Sequence, residues 1–244
     1  MPDYRDAINK VLEHEGGFVN HPNDRGGPTN WGVTMNTYNL YMTAKTGKTY
    51  ISTVDEIKKM PKALAVDIYK KLYWDKIQGD KIKKYAVAAV IFDQAINRGV
   101  SSAIKQAQKV IKALDPFGFA NIVQDGVMGP KSLEALNSIS EKPFLDSYLR
   151  ESTQFYQNIV NRDPSQSVFL QGWLNRIKSL NSYANAFYGS VNATAQEVEK
   201  FVKENKVSLG VIILFSVGGY LFWKYGIPML NSPDSTRSVA TRTA

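Results

Sequence analysis

Apolar residues recur at three- and four-residue intervals along most of the chain, the spacing that gathers them on one face of an α-helix. Behind Pro2-Asp3, the positions Tyr4, Ala7, Ile8, Val11 and Leu12 form one such stripe. Thr53 and Glu56 have the spacing of a capping box, and Pro61 opens a run with Leu64, Ile68 and Leu72 in register. Val87 to Ile96 is apolar enough to be a central core helix. Ser101 is placed to cap a helix carrying Ile104, Ala107, Ile111 and Leu114. Further helical patterns cover Pro143 to Val160 and Val168 to Phe187, and Asn192 to Lys206 leads into a long apolar stretch. No segment sustains strict alternation, which argues against a large sheet. Gly16, Gly17, Gly26, Gly27 and Gly32 break helical order early on, leaving a small hairpin open near residues 17–34.

From Val207 to Trp223 the chain carries no charge, and as far as Leu230 the only one is Lys224. At about 1.5 Å per helical residue this stretch is long enough to cross a hydrocarbon core of roughly 30 Å. Tyr220, Phe222, Trp223 and Tyr225 crowd its C-terminal end as an interfacial belt would, and Gly218-Gly219 supply small residues for helix contacts in lipid. The pattern therefore predicts a transmembrane helix over residues 207–230, in contact with a lipid bilayer, with a buried core helix as the plainer alternative. Lys200, Lys203 and Lys206 before it balance Lys224, Arg237 and Arg242 after it, so the distribution of positive charge does not decide topology. Met1 to Lys10 lacks the basic-then-apolar layout of a signal peptide. The Ser-, Thr- and Ala-rich residues 231–244 read as a disordered tail.

Composition narrows the chemistry. Thirty Lys and Arg against 22 Asp and Glu give a formal net charge of +8, which attracts polyanions. Nucleic acid is not expected, because the chain has no phosphate-binding glycine loop, zinc-finger spacing, RNA-recognition aromatic motif or dense basic block. The absence of cysteine excludes disulfides, thiol nucleophiles and thiolate metal sites. Only His14 and His21 could serve a serine-type triad, and there is no Gly-x-Ser-x-Gly elbow. An enzyme built from this chain works with carboxylates and calls for no metal or other cofactor.

The carboxylates of interest lie in Glu13 to Thr34. Continuing the first helical stripe from Val11 and Leu12 by three or four residues reaches Glu15, so this carboxyl extends the buried face. Burial raises a carboxyl pKa and makes it a proton donor near neutrality. Gly16 and Gly17 follow at once and remove side chains from the space in front of it. Asp24 lies in a polar Asn-Asp-Arg-Gly-Gly turn that keeps it solvated and ionised. Two carboxyls in contrasting surroundings are the acid and the base or stabiliser of glycoside hydrolysis. Thr29 could hold a water through its hydroxyl. Singly, each has an ordinary reading: a solvated Glu, an Asp serving its turn, a Thr capping a helix.

Taken together, Glu15-Gly16-Gly17, Asn20, Pro22, Asp24, Gly26-Gly27, Thr29 and Trp31-Gly32-Val33-Thr34 resemble the signature of glycoside hydrolase family 108, the peptidoglycan-cleaving domains of phage endolysins and related bacterial proteins. The resemblance continues through Tyr73-Trp74-Asp75 and through Asp93, Asn97 and Gly99. Over about residues 90–185 the chain also resembles a peptidoglycan-binding module, with Asp125-Gly126-Val127-Met128-Gly129-Pro130-Lys131-Ser132 as the turn before a helix. The resemblance implies a mainly α fold, a lysozyme-like helical domain with the small hairpin left open, to which the apolar pattern adds the C-terminal transmembrane helix, a departure from the ordinary soluble endolysin plan. It implies a catalytic region at residues 1–90 and a helical peptidoglycan-binding region completing the fold at 91–190, and the pattern of the remaining chain adds a linker helix at 191–206, the span at 207–230 and the tail at 231–244. It makes Glu15 the catalytic acid. Glu15, Asp24 and Thr29 are also similar in order to the Glu-Asp-Thr triad of phage-type lysozymes, which have five residues between Asp and Thr where this chain has four; Thr34 is a second candidate.

The implied substrate is peptidoglycan, cut at the β-1,4 bond between N-acetylmuramic acid and N-acetylglucosamine. Candidate binding residues are Trp31, Tyr73 and Trp74, which either stack on sugars or finish the core, Asn97 and Arg98, which either meet an N-acetyl group or cap a helix, and Lys131, suited to anionic wall groups. A lytic transglycosylase, and a non-enzymatic peptidoglycan-binding membrane protein, are the alternatives. With the span, the resemblance implies a lysin anchored in the internal membrane of a phage virion beside other membrane or capsid proteins, or in the host cytoplasmic membrane facing the periplasm.

Overall fold

The computed structural model describes residues 3–12, 17–20, 27–114 and 121–204, with side chains as far as residue 186. The chain divides into a unit of Asp3–Ser190 and a second of Met1–Pro2 with Val191–Ala244. The larger unit is mainly helical, as the periodicity predicts. It contains α1 (Tyr4–Leu12), strands β1 (Thr29–Asn30) and β2 (Val33–Thr34), α2 (Met35–Thr46), α3 (Val54–Lys58), α4 (Lys62–Tyr69), α5 (Tyr85–Arg98), α6 (Val100–Leu114), α7 (Pro130–Ser138) and α8 (Glu141–Arg162). The last helix, α9, is Ser167–Glu204. The two strands form an antiparallel hairpin with Thr29 opposite Thr34 and Asn30 opposite Val33, inside the region where the glycines leave room for one.

The core is organised around α5. Ala86 through Phe92 are each at most 3% exposed, so this helix has no wet face over two turns. It packs against α1, α6, α8 and the turn that follows α4. The stripe Ala7, Ile8, Val11 and Leu12 of α1 is buried, as its spacing requires. From the other side, Ala103, Ile104, Ala107, Val110 and Ile111 of α6 meet Phe144, Leu145, Tyr148 and Leu149 of α8. Polar bonds fix the register of those two helices: the buried Tyr148 hydroxyl donates to the Ala103 carbonyl at 3.0 Å, and Gln106 Nε2 donates to the Tyr148 carbonyl at 2.7 Å.

Local signals explain most element ends. Thr53 Oγ accepts from Glu56 N while the Glu56 carboxylate accepts from Thr53 N at 2.7 Å, the reciprocal capping box at the head of α3. Gly129 and Pro130 open α7. Two expectations change. Ser101 is not a cap: Gly99, at φ 87°, ends α5 and α6 begins immediately at Val100, placing Ser101 inside the first turn. The separate helical patterns at 168–187 and 192–206 are one helix to Glu204, because nothing between them, Gly189 included, breaks it. Among the described residues no helix is long and apolar enough to cross a membrane. The expected span at 207–230 and the tail at 231–244 lie outside the described residues.

After α4 the chain widens into a π-helical turn, Lys70–Trp74, and then a 3-10 turn, Gly79–Lys81. The extra residue of the π turn lets Trp74 reach the core, where it is 3% exposed and meets Phe92 edge-on at 5.5 Å. Gly79 lies flat against its indole: a Cβ there would fall 2.3 Å from Trp74 Cε2. Gly79→Ala should therefore lower stability by about 1–3 kcal/mol through overpacking, read as a lower denaturation midpoint at unchanged slope, whereas Gly129→Ala, where a Cβ meets nothing within 4 Å, should move the midpoint far less.

Candidate active site

The hairpin is held from below. The buried Asn30 side chain donates to the carbonyls of Ile57 (2.9 Å) and Lys58 (3.1 Å), pinning β1 to α3. Trp31 takes the left-handed conformation at φ 53°, unusual for a bulky residue, and is held there from both ends. Its indole N–H donates to the Met60 carbonyl at 3.1 Å, and its own carbonyl accepts from the Tyr69 hydroxyl at 3.2 Å. The ring is half-buried, with the Lys62 ammonium 5.9 Å above it. Thr29 bonds Val19 through its backbone in both directions, and its hydroxyl donates to the Gly27 carbonyl at 3.0 Å. Thr34 is committed to structure: its hydroxyl caps α2 by accepting from Thr37 N at 3.2 Å. Glu15 and Asp24 lie outside the described residues.

Tyr73 sits half-buried beside Tyr69, ring centres 5.9 Å apart, and is linked to Trp31 through that residue. Burial pushes its hydroxyl pKa up, with the Thr37 hydroxyl acting the other way. Trp74 belongs to the core: its N–H donates to Asp80 at 2.7 Å and its faces are taken by Phe92 and Gly79, so it offers no surface to a sugar. Asp75 closes the π turn. Lys70 Nζ lies 2.5 Å from its carboxylate and Lys71 Nζ 3.2 Å.

A groove of about 430 Å³ runs between α1, α5 and α9. Tyr85 stands at the head of α5. Tyr183 meets Tyr85 hydroxyl to hydroxyl at 3.0 Å while Arg176 meets Asp93, so α9 runs antiparallel to α5. Arg176 grips Asp93 with two nitrogens, Nη2 at 2.9 Å and Nε at 3.2 Å from Oδ2. One turn on, the exposed Asn97 amide donates to the Asp93 carbonyl at 2.7 Å. Asp93 and Asn97 thus share the groove. Arg98, a helical step of about 100° further round, faces inward: Nη1 donates to Gln106 at 2.7 Å and the guanidinium lies 4.5 Å over the Phe155 ring. Its Nε and Nη2 are buried without a hydrogen-bond partner. Arg98 binds α6 and α8 together and is not beside Asn97 in the groove.

The Asp125–Ser132 turn is carried by one buried amide. Gln108 Nε2 donates to Asp125 Oδ1 (2.8 Å), the Val127 carbonyl (3.0 Å) and Ser132 Oγ (3.1 Å), and Gln108 Oε1 accepts from Gly126 N at 3.0 Å. Gly126, at φ 79°, lies against Ser101, and a Cβ there would come within 2.2 Å of that hydroxyl. These bonds hold Asp125 well below the usual carboxylate range. Lys131 is exposed in the first turn of α7. Among the described residues no group of His, Asp or Glu is arranged to hold a metal.

The structure therefore sets Trp31 and Tyr73 each against Tyr69 and places Asn97 in the groove. It puts Trp74 and Arg98 to structural use and leaves Lys131 on a different helix from either group. Sequence reasoning missed Arg176, Gln108 and Asn30. Arg176 is 83 residues from Asp93, and no local spacing announces the pair. Gln108 and Asn30 interrupt otherwise apolar or turn segments, and a polar residue on a buried stripe was the available signal.

The family described as glycosyl hydrolase 108 matches residues 8–99, and a predicted peptidoglycan domain matches residues 102–178. Among solved structures, that of Brucella abortus SagA is 31% identical, with 75% of this chain and 94% of that chain covered and a TM-score of 0.61. No curated protein matches the chain. A glycosidase half joined to a peptidoglycan domain in one helical unit is a peptidoglycan hydrolase. This chain belongs to the glycosyl hydrolase 108 family.

The ion pairs of the π turn give a pH test. Burial raises the Asp75 pKa, but Lys70 and Lys71 more than offset this and hold it below its ordinary value of 3.8. A carboxyl depressed on folding stabilises the fold above its unfolded pKa and loses that contribution as pH falls through the folded one. Asp75→Asn should thus be less stable than wild type at pH 7, with the difference shrinking below about pH 4 in urea melts taken across the acid range.

Proposed function

We propose that the protein is a muramidase that hydrolyses the β-1,4 bond between N-acetylmuramic acid and N-acetylglucosamine, with Glu15 as general acid and Asp24 as its partner. The observation that carries this is the buried stripe of α1. Its last members, Val11 and Leu12, are 5% exposed, and the same spacing continued along the sequence reaches Glu15. A carboxyl extending an apolar stripe stays protonated near neutrality and gives its proton to the leaving glycosidic oxygen as the anomeric carbon gains oxocarbenium character. Asp24, in its polar turn, activates a water or stabilises that charge. Thr29, on the strand after Asp24, positions the water, and Trp31, Tyr73 and Asn97 form sugar contacts. Lys131 meets anionic wall groups. The reaction needs no cofactor.

In this reading the uncharged stretch from Val207 to Trp223 anchors the enzyme in a membrane, with the phage virion membrane or the host cytoplasmic membrane as its location, and wall opening during infection as its task. Support for the anchor is the length of the stretch and its aromatic border. Clearing of purified peptidoglycan by the full chain should fall by at least about 100-fold in Glu15→Gln, the scale of a lost general acid, at unchanged circular dichroism. Equal clearing by the two proteins would remove Glu15 from the mechanism.

A further inference from the structure

A cavity of about 580 Å³ lies where the two family-matched parts of the chain meet, and the glycosidase chemistry uses none of it. The π and 3-10 turns supply one wall, the Gly126–Met128 turn supplies another, and Val100 and Ile104 of α6 complete the lining. Its size is that of a small-ligand site. Gln78 ties the two walls together. It takes the left-handed conformation at φ 53°, where glycine would sit without strain, and its amide Nε2 donates to the Met128 carbonyl. A side chain is kept there against its backbone preference, and what it secures is the shape of the cavity. The charges in the lining are unevenly committed. Asp75 is taken up by Lys70 and Lys71. Asp80 accepts from the Trp74 indole at 2.7 Å, which fixes its carboxylate from the core, yet its side chain is 63% exposed and Lys70 comes no nearer than 3.5 Å. Lys76 and Lys81 are exposed and form no ion pair among the described residues. The cavity therefore offers two free cations and one accessible carboxylate beside the aliphatic side chains of Val100 and Val127.

The geometry points to a binding site for the diamino-acid residue of the peptidoglycan stem peptide, in the form that carries an ammonium and a carboxylate on the same terminal carbon. In peptidoglycan the ionised groups lie on the peptide and not on the glycan, so a charged cavity in a peptidoglycan hydrolase has the peptide to read. The ammonium pairs with Asp80, the carboxylate with Lys76 and Lys81, and the methylene chain leading to them lies on Val100 and Val127. A lysine in that place would bring an ammonium alone to a cavity whose excess charge is positive. Diaminopimelate brings the anion that this excess calls for. Placement agrees: Asp75 follows Tyr73 by two residues, so the wall begins within about 7 Å of chain from a proposed sugar contact. That placement rests on the muramidase reading, whereas the charge match needs only peptidoglycan as the partner.

The test is calorimetric binding of two tripeptides to the full chain: L-alanyl-γ-D-glutamyl-meso-diaminopimelate, and the same peptide with L-lysine as its third residue, which lacks only the side-chain carboxylate. Neither contains a glycosidic bond, so failure of the muramidase reading cannot alter the result. The diaminopimelate peptide should bind about tenfold tighter, the scale of one charge-assisted contact. The double variant Lys76→Gln/Lys81→Gln should abolish that difference, and Lys112→Gln, a loss of charge in the last turn of α6, should keep it. Equal binding of the two peptides by the wild type, tighter binding of the lysine peptide, or no binding of either at millimolar concentration overturns the proposal whether or not a variant folds. A preference that survives in the double variant at unchanged circular dichroism does the same, as does one that Lys112→Gln removes equally, which would mark it as attraction by net charge alone.

Discussion

A helix with no wet face has to be covered all round, and α5 imposes that requirement on everything else. Seven consecutive residues, Ala86 through Phe92, are almost wholly removed from water. Each large aliphatic or aromatic side chain among them contributes about 1.5–3 kcal/mol on burial. That gain is realised only if α1, α6, α8 and the π turn are all in place. The π turn exists to bring Trp74 onto Phe92, and Gly79 exists to let it lie there. The hairpin is further out, tied to this frame by Asn30 and by the two bonds of Trp31.

The same helix sets where function can appear. Its apolar run ends at Phe92, and the polar residues that follow emerge on different sides because each step turns the chain by about 100°. Asp93 and Asn97, one turn apart, face the groove, and Arg98 turns back into the α6–α8 contact. The short motif Asp93-x-x-x-Asn97-x-Gly99 therefore combines three jobs: an ion-paired carboxylate, an exposed amide, and a glycine at positive φ that allows α6 to start without a loop.

Features carried by neighbouring residues were legible in the sequence. The capping box at Thr53 and Glu56, the Gly129-Pro130 helix entry, the stripe of α1 and the hairpin all follow from local chemistry. The peptidoglycan turn at Asp125–Ser132 could be read as a turn, but not as one whose bonds converge on Gln108, because that amide comes from a helix 17 residues earlier. Ser101 has the right residue type for a cap and the wrong neighbour: Gly99 ends the preceding helix by itself. Trp74 and Arg98 looked like substrate contacts because aromatic and cationic side chains serve cores and sites alike, and only burial separates the two uses. The Asp93–Arg176 pair depends on the antiparallel course of α9 against α5, which no sequence window contains.

The chemistry comes down to what happens at the anomeric carbon once the leaving oxygen is protonated. Mass spectrometry of the fragments released from purified peptidoglycan by the full chain reads that directly. Attack by water, which the proposed pairing of Glu15 with Asp24 requires, leaves N-acetylmuramic acid at the new reducing ends. Fragments ending in 1,6-anhydro-N-acetylmuramic acid would show that the sugar closes on itself, and would contradict the hydrolytic pairing of Glu15 with Asp24.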